Sequence, residues 1–250
     1  MYELIQAGTR TYYIDCPAKM GIYVMDGNKV CMIDSGNDKD AAKKALKILE
    51  ANGWTLDMVI CTHSHADHIG GNRLLQQRTG CRIYMAGIDK AFARFPLLEP
   101  SVLFGGRPCR ELKNKFLMAQ ESEVEELTED VLPQGLEMLR TDGHSISMTA
   151  IRTDDDIWFL ADCLTSEAII KKYHVSFLYD VEGYLNTLEV ISRLEGKLFI
   201  PAHAEPAADI RPLAAVNRAK AEEIIELLLD LCREPMSTDD LIQGVFCTTG

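Results

Sequence analysis

No apolar run in this sequence approaches the roughly 18–20 residues that a membrane-spanning helix needs. The opening "MYELIQAGTRTYYID" has neither the basic stretch nor the apolar core of a secretory signal. Both absences lead to the expectation of a cytoplasmic protein with no membrane partner. Also missing is any C-x-x-C pair among the eight cysteines, Cys16, Cys31, Cys61, Cys81, Cys109, Cys163, Cys232 and Cys247. Buried, reduced thiols are therefore expected rather than disulfides. Cations are in short supply: 26 Lys and Arg stand against 38 Asp and Glu, a net charge of −12. Such a surface repels phosphate backbones, and no basic run offsets it, so no nucleic-acid partner is expected. Histidine is scarce as well, only six in 250 residues, which makes its placement informative.

The patterning that is present reads as alternating strands and helices. "YYID", "MGIYVMDG" and "NKVCMIDSG" are short strands, and "DGNK" (Asp26 to Lys29) is a hairpin signal. "KDAAKKALKILEANG" places Ala42, Ala45, Leu46 and Leu49 at helical spacing, with Gly53 as its stop. "DMVIC" follows as a buried strand, "IGGNRLLQQRTG" as a helix and "CRIYMA" as a strand, the signature of a layered α/β fold. Residues 87–135 lose this regularity and include "ESEVEELTED", with six acids in ten positions. This segment is open to two readings, a functional covering loop or a solvated connection. Strands return with "LEMLRT", "SISMTAIRT" and "DIWFLAD". The helix "EGYLNTLEVISRLEG" and the strand "KLFIPAH" follow. Two such halves suggest two sheets packed face to face with helices outside. "AAVNRAKAEEIIELLLDLCRE" is a long amphipathic helix with Ile224, Leu227, Leu228 and Leu231 on its inner stripe. "MSTDDLIQGVF" begins with a capping signal at Ser237 or Thr238. No linker divides the chain, so one domain is expected over 1–250, with 212–250 a helical extension.

Half of the histidines lie in "CTHSHADHIGGN", Cys61 to Asn72, directly after the strand "MVI". His63 and His65 are two apart and point the same way in an extended segment. His63 and His68 are five apart, which excludes the paired-histidine helix of H-E-x-x-H metalloproteases. Asp67 and His68 stand at the start of the following helix, and Gly70 and Gly71 leave room for close packing behind the loop. Imidazole with carboxylate suits zinc, and also iron or manganese. Further donors stand at strand ends or turns: His144 in "TDGHS", Asp162 in "WFLADC" and His203 in "FIPAH". His174, in "KKYHVSF", has no such neighbours and reads as an ordinary, partly exposed histidine.

The motif H-x-H-x-D-H at 63–68, Gly-His at 143–144, Ala-Asp at 161–162 and Ala-His at 202–203 resembles the metallo-β-lactamase superfamily. "MIDSG" at 32–36 and "YLNTLEVISRL" before the last histidine match the same pattern, over about residues 20 to 205. The resemblance implies an α/β fold of the four-layer αβ/βα sandwich type with two divalent metals at one edge, zinc first, iron or manganese as alternatives. Carried over, His63, His65 and His144 hold one metal, Asp67, His68 and His203 the other, and Asp162 bridges them. The full set is similar to the glyoxalase II and lactonase-like branches. Cys163 lies beside Asp162 and not in its place, and reads as buried. "MSTDDLIQGVF" resembles the beginning of the winged-helix module that ends some hydrolases of this family, although the chain stops at "CTTG".

These residues imply a hydrolase in which a hydroxide on two metals attacks a small ester, thioester or lactone, with Asp67 and Asp162 orienting it. A phosphodiesterase is the first alternative, and a mononuclear-iron sulfur dioxygenase, which keeps fewer ligands, is the second. Asp34 reads either as a hydrogen-bond partner of a ligand histidine or as a turn former. Phe92, Phe95, Phe104 and Phe116 suggest that 87–120 covers the site, while each taken singly reads first as a core residue. Tyr184 is either a donor to substrate or a packing residue.

Overall fold

A computed structural model describes residues 2–249. Four antiparallel strands open the chain: β1 (Glu3–Gln6), β2 (Thr11–Asp15), β3 (Met20–Val24) and β4 (Lys29–Ile33). The "DGNK" turn joins β3 to β4 as expected. Helix α1 (Lys39–Ala51) starts at Asp38, whose side chain accepts from the backbone N–H of Asp40 and Ala41. It returns the chain to β5 (Thr55–Cys61), parallel to β4. The expected helix after the histidine motif is two: α2 (Ala66–Ile69) and α3 (Asn72–Thr79), with Gly70 and Gly71 at the junction. A Cβ on Gly70 would sit 2.3 Å from the carbonyl oxygen of Asn37, so the close packing expected there is real. Strand β6 (Arg82–Met85) pairs parallel with β5.

The irregular region holds the short helices α4 (Asp89–Arg94) and α5 (Leu98–Phe104). Its acidic stretch supplies β7 (Glu125–Glu126), which ends the seven-stranded sheet beside β6. The second sheet contains β8 (Leu136–Arg140), β9 (Thr149–Thr153), β10 (Ile157–Thr165) and β11 (Leu198–His203), in the order β11-β10-β9-β8. Between β10 and β11 run α6 (Glu167–Tyr173) and α7 (Val181–Ile191). After β11 come α8 (Arg211–Leu231) and α9 (Thr238–Thr249), the latter with Ser237 Oγ accepting from the Asp240 N–H.

Strand alternation explains the layering. Ile14, Ile22, Met32 and Val59 face α1 and α3, packing on Ala42, Ala45, Leu49 and Leu75. Their neighbours Tyr13, Tyr23, Ile33 and Ile60 face the other way and meet Ile151, Phe159 and Ile200 of the second sheet. Trp158, Leu160 and Phe199 then point outward to Tyr184, Leu188 and Ile191 of α7 and Ala214 of α8. Helix, sheet, sheet, helix is the four-layer order expected. All eight cysteines are free; five are buried, including Cys163, while Cys109, Cys232 and Cys247 are exposed. No described helix is long and apolar enough to cross a membrane.

Candidate metal centre

The seven donors come together at the ends of strands from both sheets. His63, His65, Asp67 and His68 follow β5, and His203 ends β11. His144 sits in the turn between β8 and β9, where Gly143 has φ 126° and a Cβ would lie 2.3 Å from the Tyr184 backbone nitrogen. Strand β9 starts at Thr149, later than expected, because Ser145 and Ser147 leave the ladder to hydrogen-bond buried Asp89. Asp162 is not after its strand as expected but within β10. The register with β11 slips on both sides of Ala161, which takes φ 48°. Such a bulge re-aims the next side chain, here the Asp162 carboxylate.

Ligand atoms of His63, His65, His144 and Asp162 lie within 4.8 Å of one another, as do those of Asp67, His68 and His203. His65 Nδ1 is 2.9 Å from His144 Nε2 and 3.1 Å from His63 Nε2. Asp162 Oδ2 is 3.3 Å from His144 Nε2 and 3.4 Å from His203 Nε2, so one carboxylate faces both groups. Asp67 Oδ2 is 3.1 Å from His203 Nε2. His174 ends α6, outside both groups.

The most informative pair is His68 and Asp162. His68 Nε2 and Asp162 Oδ1 are buried and 3.1 Å apart, yet neither makes a directed hydrogen bond. The other ring nitrogen, Nδ1, is 2.8 Å from Asp34 Oδ2. With its proton on Nδ1, a neutral ring presents a lone pair to a carboxylate lone pair, which is tolerable only with a cation shared between them. A proton or a metal ion serves.

The ionisation preferences say the same. Burial opposes charge on His68, but Asp162, Asp67 and Asp34 outweigh it and hold its pKa well above the usual imidazole value. Burial likewise opposes charge on His203, but Asp162 and Asp67 raise it to about 10. Burial would raise Asp162, but His68 and His203 keep it well below the carboxylate range. His63 and His65 go the other way. Burial, reinforced by the neighbouring imidazoles, drives His63 well below its usual value and His65 to about 3. The group around His63 thus favours neutral, ligand-competent rings.

Asp34 is a hydrogen-bond partner, one of its two expected readings. It accepts from the Thr62 N–H at 2.7 Å, from Thr62 Oγ1 at 2.8 Å and from His68. Tyr184 packs: it is buried, and its hydroxyl donates to Asn217 Oδ1 at 3.1 Å. That excludes the substrate-donor reading, since its polar tip is already committed. Of the four phenylalanines only Phe92 borders the site; Phe95, Phe104 and Phe116 are exposed. Sequence reasoning missed Phe177, whose ring lies 5.8 Å from His65 and 6.2 Å from His144. It also missed Glu99, with Oε1 3.4 Å from His65 Nε2. Burial, with Asp89 and Asp67 adding repulsion, pushes the Glu99 carboxyl up to about 8. Phe92, Glu99, Phe177 and Ser145 line a half-open cavity of about 20 Å³ beside His65.

Residues 16–203 match the model of the metallo-β-lactamase superfamily. The chain belongs to the metallo-β-lactamase superfamily. Among curated superfamily relatives, a hydroxyacylglutathione hydrolase of Rhodopseudomonas palustris (strain BisB18) is 29% identical over 194 residues, 76% of this chain and 67% of its own length. Another, from Bradyrhizobium sp. (strain ORS 278), is 50% identical over 46 residues, only 18% of either chain. The match thus spans about two thirds of the first relative and under a fifth of the second. The solved structure of a beta-lactamase domain protein from Burkholderia ambifaria superposes with a TM-score of 0.75 at 17% identity, covering 98% of this chain and 84% of that one. This confirms the metallo-β-lactamase fold.

Proposed function

We propose that the protein is a metal-dependent hydrolase of a small ester, thioester or lactone, with a site for two divalent ions, zinc first. The observation that carries this is the facing of His68 Nε2 and Asp162 Oδ1 without a hydrogen bond, inside a set of five imidazoles and two carboxylates. That donor set fits zinc, iron or manganese. His63, His65 and His144 would hold the first ion, Asp67, His68 and His203 the second, and Asp162 would serve both. When bound, such ions supply an acidified water and a Lewis acid for the substrate carbonyl. Around them the chain does the rest. Asp34 holds the His68 ring and, through Thr62, borders His63. Asp67 and Asp162 keep two anionic oxygens at the reacting face, able to orient the attacking water. Phe92 and Phe177 limit water and offer an apolar wall to an acyl group.

A thioester leads among the substrates because the curated relatives bear the name hydroxyacylglutathione hydrolase. We also propose that 1–250 is one domain with 212–250 as an extension.

The test is a screen of thioesters, lactones and phosphodiesters with zinc-loaded protein, with and without chelator. Chelator-sensitive turnover of an acyl substrate is expected. Turnover of phosphodiesters alone would replace the acyl class, and chelator-insensitive turnover would refute the metal requirement.

A further inference from the structure

Every site histidine has one ring nitrogen turned inward, and what the other meets determines how firmly the ring is aimed. His63, His68, His144 and His203 turn Nε2 inward. The Nδ1 atoms of His63, His68 and His203 meet Thr62 Oγ1 at 3.1 Å, Asp34 Oδ2 at 2.8 Å and the Pro17 carbonyl at 2.9 Å. His65 is reversed. Its Nδ1 joins the cluster, and its Nε2 points away, 3.4 Å from Glu99 Oε1.

Glu99 is an unusual place for a carboxylate. It stands in the first turn of α5, only 8% exposed, and lines the cavity beside His65 with Phe92, Val102, Leu103 and the buried Asp89. Among the described residues, His65 is its only basic partner within ion-pair distance. A buried carboxyl is costly unless a partner compensates it. We infer that Glu99 is the positioning residue for His65: its carboxyl oxygen Oε1, in the acid as in the ionised form, accepts the Nε2–H and thereby fixes the tautomer that leaves Nδ1 as the inward lone pair. This rests on the metal-centre reading above. The separation exceeds the 2.7–3.2 Å of a well-formed bond, so the contact steers the ring more than it clamps it. It also ties α5 to the placement of one ligand.

The experiment is zinc titration against a chromophoric chelator for wild type, Glu99→Gln and Glu99→Met. Methionine fills the space without a carboxylate oxygen, whereas glutamine keeps an acceptor. Glu99→Met should weaken one of two zinc equivalents by about ten-fold or more and leave the other within two-fold, and Glu99→Gln should recover most of the loss. Unchanged affinity in Glu99→Met overturns the inference while the metal-centre reading stands. A wild type that takes up no zinc overturns both. Should Glu99→Met fail to fold, ¹⁵N NMR of the zinc-loaded wild type decides. A His65 Nε2 proton protected from solvent exchange is expected, and a freely exchanging one, or metal on Nε2, overturns the inference.

Discussion

Replacing Asp34 by alanine should damage the fold and the metal centre together. The residue is 3% exposed, and its side chain accepts three hydrogen bonds, from Thr62 N–H, Thr62 Oγ1 and His68 Nδ1. Alanine orphans all three donors. In metal-free protein the Thr62 hydroxyl can turn to His63 Nδ1, 3.1 Å away, once that ring carries its proton on Nε2, so two remain without a partner. Asp34 also has φ 62°, in the left-handed region where aspartate is tolerated better than alanine. Two orphaned buried donors cost about 1–3 kcal/mol each and the backbone adds about 1 kcal/mol, roughly 4 kcal/mol in all. Against a total of about 5–15 kcal/mol this is a large fraction. Urea unfolding of metal-free protein is the assay. With a slope near about 3 kcal/mol per molar, the midpoint should fall by more than about 1 M. Asp34→Asn keeps an acceptor oxygen and the backbone tolerance, and should lose less than half as much. An alanine variant within about 1 kcal/mol of wild type would refute the reasoning, because it would mean that these hydrogen bonds are replaced at no cost.

Three further outcomes follow from the same geometry. Asp162→Ala should reduce bound metal from two equivalents to one or fewer; full two-metal occupancy with normal turnover would sink its shared role. Tyr184→Phe should leave turnover unchanged and lower stability by about 1 kcal/mol, the usual value of one hydrogen bond, read by thermal unfolding. Asp155 accepts from the Thr9 and Arg10 N–H groups and from Thr11 Oγ1, joining the turns of the two sheets. Burial alone would raise its pKa, but these bonds win and depress it. Its contribution to stability is therefore full above the unfolded-state value near about 4 and is lost as pH falls through the lower folded value. Asp155→Asn should flatten that acid limb in urea melts taken from neutral pH downward.

What the sequence reveals of this protein is mostly local. Apolar runs that end at Asp34 and His203 announce the ends of β4 and β11, and alternation such as Tyr13/Ile14 and Met32/Ile33 separates two buried faces. The donors are legible for the same reason: seven residues of ligand type occur in short motifs beside strands. Features made by tertiary contact are not. The slip at Ala161 depends on how β10 meets β11. Glu99 and Phe177 sit in segments without periodicity, and only folding brings them to His65. The phenylalanine reading held for Phe92 alone, because residue type cannot say which side of a segment faces inward. Tyr184 was within reach, since Tyr184, Leu188 and Ile191 form an i, i+4, i+7 stripe that marks it as a packing residue.

The central claim is that this cluster is built for two metal ions. Metal content per chain, by mass spectrometry on protein purified without added metal or chelator, tests it most directly. The account predicts about two equivalents of zinc, or of manganese or iron in its place. Protein that carries no metal and takes up none on addition would contradict it.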